Sequence, residues 1–266
     1  MTFSWSKPKR IPLIVGHRGA SAVAPENTLA SFRRAIEEGA DAIELDVHLT
    51  KDGEVVVIHD SSLNRTTNGR GRVREHTLNE LKRLDAGCWF HKKFHSEKIP
   101  TLAEVFELLP LSIGVNIEIK ADGLENKNQD ITDRCIDLIK YFKREKSILI
   151  SSFQYKFLTR IKLLSPELAT ALLYDPLHQF SESKIILAKS VGAKYIILNG
   201  RYLRKRVIGS IHTNGMMVGE YTVNTKRRFE RSIHSGVDII ITDNPRKIKD
   251  FQKMFGINKP SGMRGL

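Results

Sequence analysis

The stretch Ala42-Ile-Glu-Leu-Asp-Val-His-Leu-Thr-Lys-Asp-Gly-Glu-Val-Val-Val-Ile-His59 decides how this chain is read. As a strand, Ala42–His48 sends Glu44, Asp46 and His48 to one side and Ile43, Leu45 and Val47 to the other. A second apolar run, Val55–His59, follows after only Leu49-Thr-Lys-Asp-Gly-Glu54. A parallel crossover needs a dozen or more residues, whereas Asp-Gly is a hairpin turn signal. The two runs are therefore expected to pair antiparallel, with Val55–His59 as a return arm that brings His59 back toward the mouth of strand two.

Working outward, nine β-branched or apolar runs read as strands: Pro12–Gly16, Ala42–His48, Val55–His59, Gly114–Lys120, Ser147–Ser152, Leu168–Tyr174, Lys194–Leu198, Met216–Glu220 and Val237–Thr242. Setting the hairpin arm aside leaves eight, alternating with helical patterns from end to end. That rhythm predicts an α/β chain folded as a (β/α)8 TIM barrel, with a doubly wound open sheet as the alternative. Helix signals agree. Thr28–Glu38 carries Leu29, Phe32 and Ile36 on one face and stops at Gly39; Thr77-Leu-Asn-Glu80 and Thr101-Leu-Ala-Glu104 are capping-box patterns; Asp243-Asn-Pro245 opens a last helix. The segment from about residue 61 to 100 is too long for an ordinary βα loop and reads as a small inserted subdomain after the strand-two hairpin. One domain over 1–255, followed by a flexible tail over 256–266, is the expected organisation.

Composition sets the outer bounds. The 266 residues suffice for a large core. The 43 Lys and Arg against 30 Asp and Glu leave a net charge of +13, which suits anionic partners such as phosphate esters, and transient contact with an anionic membrane surface is compatible with it. The basic clusters Arg201–Arg206 and Lys226–Arg231 read as sides of amphipathic helices, since Tyr202 and Phe229 alone are too few for base stacking; no nucleic-acid partner is expected. Two cysteines, Cys88 and Cys135, suggest no disulfide framework. The short apolar run Ile11–Val15, interrupted by Pro12, is no signal-peptide core, so a cytoplasmic enzyme is the default. The oligomeric state is not legible.

The chemistry gathers where barrel strands end. Glu44 and Asp46 on one strand face repel each other unless a cation or proton lies between them. With Glu118 they form an all-oxygen set suited to one divalent cation, Mg²⁺ or Ca²⁺. The competing reading is a structural ion pair of Glu44 or Glu118 with Lys120 or Arg18. His17 and His59 each follow an apolar strand and precede a polar turn, which makes them candidates for general acid and base. Arg18 and Lys120 supply positive charge for phosphoryl oxygens. His48 is expected above the metal site or at the start of the hairpin. Pro25-Glu26-Asn27-Thr28 reads foremost as a helix entry.

The stretches His17-Arg-Gly-Ala20, Pro25-Glu-Asn-Thr28, Glu44-Leu-Asp-Val47, Thr50-Lys-Asp-Gly53, His59-Asp60, Leu63-Asn-Arg-Thr-Thr-Asn-Gly69, Ile99-Pro-Thr-Leu102, Glu118-Ile-Lys120, Ser151-Ser-Phe153 and Thr242-Asp-Asn-Pro245, in that order, resemble the glycerophosphodiester phosphodiesterase family of the phospholipase-C-like phosphodiesterase superfamily. The resemblance spans about residues 14–246. It implies metal-dependent hydrolysis of a small-molecule glycerophosphodiester to sn-glycerol 3-phosphate and an alcohol, with Glu44, Asp46 and Glu118 on the metal, His17 and His59 catalytic, and Arg18 and Lys120 on the phosphate. The family's Trp-Thr-Val-Asn stands here as Tyr221-Thr-Val-Asn224, so Tyr221 is the expected aromatic wall for the substrate. The same site could serve a lysophospholipase D or sphingomyelinase-D-like activity on lipid diesters. A non-catalytic barrel binding anionic ligands would predict a broken site, yet every proposed residue is present.

Overall fold

The hairpin forms where expected. β2 (Ala42–Leu49) turns through Asp52-Gly53 into β3 (Val55–Val57), antiparallel, with Val47 opposite Val57 and Leu49 opposite Val55. Gly53 sits at φ +84°, in the left-handed region that a side chain disfavours, and this lets the turn close in so few residues. β3 is shorter than the predicted arm. The Ile58 N–H still donates to the Asp46 carbonyl on β2, while the Val57 N–H goes to the Pro100 carbonyl on the other side, and His59 stands in the bend beyond. The computed structural model of this protein describes residues 2–8, 11–120, 128–174 and 181–257.

The other strands are β1 (Leu13–Gly16), β4 (Gly114–Ile119), β5 (Ile148–Ser152), β6 (Ala169–Leu173), β7 (Tyr195–Asn199), β8 (Met217–Tyr221) and β9 (Ile239–Thr242). Every pairing among β1, β2 and β4–β9 is parallel, and β1 pairs with both β2 and β9, so the eight strands close into a ring. The fold is a (β/α)8 barrel. Observed strand limits all lie within two residues of the predicted ones, the largest differences being at the end of β3 and the start of β9. The helices are α1 (Leu29–Glu37), α2 (Leu78–Arg83), α3 (Leu102–Leu108), α4 (Asn128–Tyr141), α5 (Tyr155–Leu164), α6 (Glu182–Ser190), α7 (Lys205–Thr213), α8 (Lys226–Ser235) and α9 (Pro245–Met254). Thr28, Thr77 and Thr101 cap their helices through reciprocal side-chain bonds, and Asn244 caps α9 with Pro245 in the first turn.

Strand alternation divides the apolar residues between two cores. Ile43, Leu45 and Val47 pack outward with Phe32, Leu102, Val105 and the inner faces of the other helices. Leu13, Val15, Leu149, Ala171, Tyr195, Ile197 and Ile239 fill the barrel interior. Trp5 plugs its N-terminal end. The indole Nε1–H donates to the Ser147 carbonyl at 2.8 Å, and the Tyr195 hydroxyl donates to the Trp5 carbonyl at 2.5 Å. With that end sealed, polar side chains from the strands emerge at the opposite mouth.

Residues 61–100 carry a separate small core in which Leu63, Val73, Leu81, Ala86 and Ile99 pack on Val56 and Ile58. In the basic cluster Arg201–Arg206, a short 3-10 turn over Gly200–Tyr202 precedes α7, whose first residue is Lys205. Phe229 on α8 is fully buried in the outer core, where its ring packs on Phe251 and Phe255. Both cysteines are free. Among the described residues, no helix is long and apolar enough to cross a membrane. The tail expected over 256–266 lies, from residue 258, outside the described residues.

Candidate active site

Parallel register aligns the acidic groups. Glu44 on β2 lies beside Asn116 on β4, and Asp46 lies beside Glu118. All three carboxylates reach a common point: one oxygen from each of Glu44, Asp46 and Glu118 falls within 4.8 Å of the others. Glu44 and Asp46 are almost fully buried. One oxygen of Glu44 accepts the Arg18 backbone N–H at 2.9 Å, whereas Oε1 and the Asn116 side-chain oxygen are buried without a hydrogen-bond partner among the described residues. Unpaired buried oxygens of this kind are costly and call for a cation or an ordered donor. The donor set therefore fits a hard divalent cation.

The electrostatics agree. Burial, then the neighbouring charge of Asp46, pushes Glu44 up to about 8. Burial and Asp46 raise Glu118 as well. For Asp46 burial works in the same direction, but Lys120 and Arg18 outweigh it and hold the group at about 2. Lys120 Nζ lies 2.5 Å from Glu118 and 3.0 Å from Asp46, so the ion-pair reading of Glu118 has substance too. Arg18 Nε is 3.5 Å from Asp46. Burial disfavours the Lys120 ammonium, yet Asp46 and Glu118 prevail and its pKa rises. Two cations thus face three carboxylates.

His17 follows β1, and its N–H is held by the Thr242 carbonyl across the β1–β9 seam. The turn after it is tight. Arg18 takes φ +52° and Gly19 φ +86°, and a Cβ at Gly19 would lie 2.4 Å from Ser31 Oγ, so only glycine fits. The His17 ring sets Nδ1 2.6 Å from Asp243 Oδ1. Asp243 in turn accepts from Ser21 at 3.1 Å and from the Asn224 amide. His59 repeats the arrangement, with Nδ1 2.6 Å from Asp60 Oδ1. With Nδ1–H donating to a carboxylate in both pairs, Nε2 is the nitrogen left for chemistry. Burial lowers the His17 pKa, but the bond to Asp243 and the charge of Glu44 overcome it and the group lies above its ordinary value. For His59 burial dominates, Lys120 and Arg18 add to it, and together they outweigh the upward pull of Asp46, so the pKa falls.

His17, Arg18, Glu44, His59, Glu118 and Lys120 share one cavity of about 220 Å³, walled on one side by Phe153, Leu173, Ile197, Tyr221 and Ile241. Tyr221 is at the wall as expected, but its hydroxyl donates to the Tyr174 carbonyl at 3.1 Å. His48 is not at the carboxylate cluster. Its Nε2–H donates to the His59 carbonyl at 3.0 Å, bracing the backbone of the other histidine.

Pro25-Glu-Asn-Thr28 does more than begin a helix. Thr28 caps α1, while the Asn27 amide donates to Asp46 Oδ2 at 2.9 Å and Arg18 Nη1 donates to Glu26 Oε1 at 2.8 Å. Sequence reasoning passed over Glu26, Asn27, Asp60, Asn224 and Asp243 as functional side chains. Asp60 carried a signal, being a carboxylate next to a candidate histidine; the pairing of Asp243 with His17, 226 residues away, carried none.

Residues 17–247 match the sequence profile of the glycerophosphoryl diester phosphodiesterase family. The chain belongs to that family. It is 43% identical over 242 residues to a glycerophosphodiester phosphodiesterase of Caldanaerobacter subterraneus, covering 89% of this chain and 96% of that one. It is 30% identical over 278 residues to a lysophospholipase D of Mus musculus, covering 91% and 86%. Among solved structures, a phosphodiesterase from Oleispira antarctica in complex with the product sn-glycerol-3-phosphate superposes with a TM-score of 0.84 at 30% identity, covering 91% of this chain and 97% of that one. The protein is accordingly an enzyme of the phosphoric diester hydrolase class.

Proposed function

We propose that this protein hydrolyses glycerophosphodiesters to sn-glycerol 3-phosphate and an alcohol by acid–base catalysis between His17 and His59. The observation that carries the reading is the repeated histidine–carboxylate pair: two imidazoles in one cavity, each bonded through Nδ1 to a carboxylate at 2.6 Å, with pKa values displaced in opposite directions. Groups pushed apart in this way suit opposite roles. The raised pKa of His17 suits it to donate a proton to the departing alkoxide. The lowered pKa of His59 suits it to take the proton from the nucleophile, which is water or the substrate's own glycerol 2-hydroxyl, the latter giving a cyclic phosphate that water then opens to sn-glycerol 3-phosphate.

Arg18 and Lys120 hold the phosphate, Arg18 as a planar fork and Lys120 as a point charge. Glu44, Asp46 and Glu118 would hold one divalent cation, Mg²⁺ or Ca²⁺, which when bound supplies positive charge opposite the phosphoryl oxygens. The Tyr221 ring and its apolar neighbours wall the glycerol side. Residues 1–255 then act as one catalytic domain, with 61–100 inserted over the mouth. The two free cysteines are in keeping with a cytoplasmic setting.

A second reading, lysophospholipase D action, draws on the apolar wall of the cavity and on Phe153, which is exposed at its rim. Purified protein incubated with glycerophosphocholine and separately with lysophosphatidylcholine, under chelator and after Mg²⁺ or Ca²⁺ is restored, decides between them. Metal-dependent release of sn-glycerol 3-phosphate that Glu44→Gln abolishes is the expected result. Turnover of the lysolipid alone would replace the first reading with the second, and a folded protein inert to both would remove the catalytic one.

A further inference from the structure

The guanidinium of Arg65 joins the two halves of the site. Nε donates to Asp60 Oδ2 at 2.7 Å and Nη1 to Glu26 Oε2 at 2.8 Å. Nη2 lies between the two carboxylates, donating to Glu26 Oε1 at 2.7 Å and to Asp60 Oδ1 at 3.0 Å. Those two oxygens are the ones already engaged by the catalytic groups: Glu26 Oε1 takes Arg18 Nη1, and Asp60 Oδ1 takes His59 Nδ1. Each carboxylate is therefore gripped on both oxygens by one planar group and shares one of them with a side chain of the cavity. A continuous chain runs Arg18–Glu26–Arg65–Asp60–His59.

Arg65 is itself held. Leu63, two residues before it, is fully buried in the small core of residues 61–100. The Thr67 hydroxyl donates back to the Leu63 carbonyl at 2.7 Å and accepts the Gly69 N–H at 2.9 Å, which fixes the turn. Thr66 is buried and faces the narrow cleft shared by Glu26 and His59. The Arg65 side chain is 43% exposed, and Arg65 is not among the residues that line the cavity. Its reach into the chemistry is through Glu26 and Asp60 alone.

We infer that Arg65 is a positioning residue that sets the orientation of the phosphate-binding Arg18 and the general base His59 together, so that the segment after the hairpin aligns the site. The inference rests on the roles proposed above for Arg18 and His59. A planar fork with four used donors can do this and a lysine cannot, because an ammonium supplies charge without fixing the rotation of two carboxylates. Simple charge balance, the alternative, would be satisfied by lysine. Groups that orient a reacting side chain from one bond away typically cost 10–100-fold in activity when lost.

The test compares kcat, KM and Tm of wild type, Arg65→Met and Arg65→Lys with glycerophosphocholine, together with Asp60→Asn, Arg65→Met/Asp60→Asn, His59→Ala and Arg18→Ala. The inference predicts that both Arg65 variants keep the wild-type Tm within a few degrees and lose kcat by about 10–100-fold, lysine giving no full rescue. It also predicts that the double variant loses less than the product of the two single losses, because the part of the Arg65 effect that passes through Asp60 is already removed. Wild-type kcat in Arg65→Lys would overturn it, as would multiplying losses in the double variant. If Arg65→Met does not fold, Glu26→Gln and Asp60→Asn take its place, and full activity in both would overturn it equally. Activity retained by His59→Ala or Arg18→Ala would instead sink the underlying assignment, whatever the Arg65 variants do.

Discussion

The two histidine–carboxylate pairs share a bond length and differ in almost everything else. His17 and Asp243 come from opposite ends of the chain and meet because β1 and β9 close the barrel. Asp243 is buttressed by Ser21 and Asn224, and the nearest carboxylate of the cluster, Glu44, adds negative charge. His59 and Asp60 are adjacent in sequence, stand in a bend beyond a three-residue strand, and depend on His48 for backbone support. Burial opposes the imidazolium there, and Lys120 and Arg18 add to it against the upward pull of Asp46 and Asp60. A carboxylate on Nδ1 thus fixes which nitrogen is available but does not fix the charge of the ring. The wider field decides whether the ring gives or takes a proton.

The comparison can be broken in order of expected effect. Replacing either ring should hurt most: His17→Ala and His59→Ala are each expected to cut kcat by about 10²–10⁴ with the fold intact by circular dichroism. Near-wild-type turnover from either would remove that ring from the mechanism. Asp243→Asn comes next, at about 10–100-fold. It removes the bond that raises His17, so the protonated form is lost at lower pH and the alkaline limb of the kcat/KM profile moves toward acid. Asp60→Asn removes an upward pull on His59, so the acidic limb moves toward acid instead. A pH profile in which the same limb moves in both variants would mean the two rings do not divide the roles. The smallest effect sharpens the contrast between site and scaffold. Thr101→Ala loses a reciprocal cap on α3 and should cost about 1 kcal/mol by denaturant titration while leaving kcat unchanged.

What the sequence revealed follows the range of the forces involved. Asp52-Gly53 and the short connection around it are local, so the hairpin and with it the count of eight barrel strands could be read directly. The alternation that points Glu44 and Asp46 inward is likewise a property of one strand. Helix caps at Thr28, Thr77, Thr101 and Asn244 are local for the same reason. The partners of those side chains were not legible. Asp243 reaches His17 only after the ring closes, and Asn27 reaches Asp46 only because the Arg18–Gly19 turn folds the loop over β2. Glu26 reads as helix-entry acidity until its partners are in view. Trp5, seven residues ahead of Pro12 where the first predicted strand begins, gave no periodic signal, yet it seals the barrel floor.

Leaving-group dependence tests the division of labour most directly. The purified His17→Ala and His59→Ala variants, metal-loaded, would be assayed on glycerophosphocholine and on glycerol 3-phosphate esterified to 4-nitrophenol, which departs as a phenolate without protonation. The account predicts that His17→Ala recovers most of its activity on the nitrophenyl ester while His59→Ala stays impaired on both. Recovery confined to His59→Ala would exchange the two roles, and equal loss by both variants on both substrates would contradict the claim that the rings are set apart.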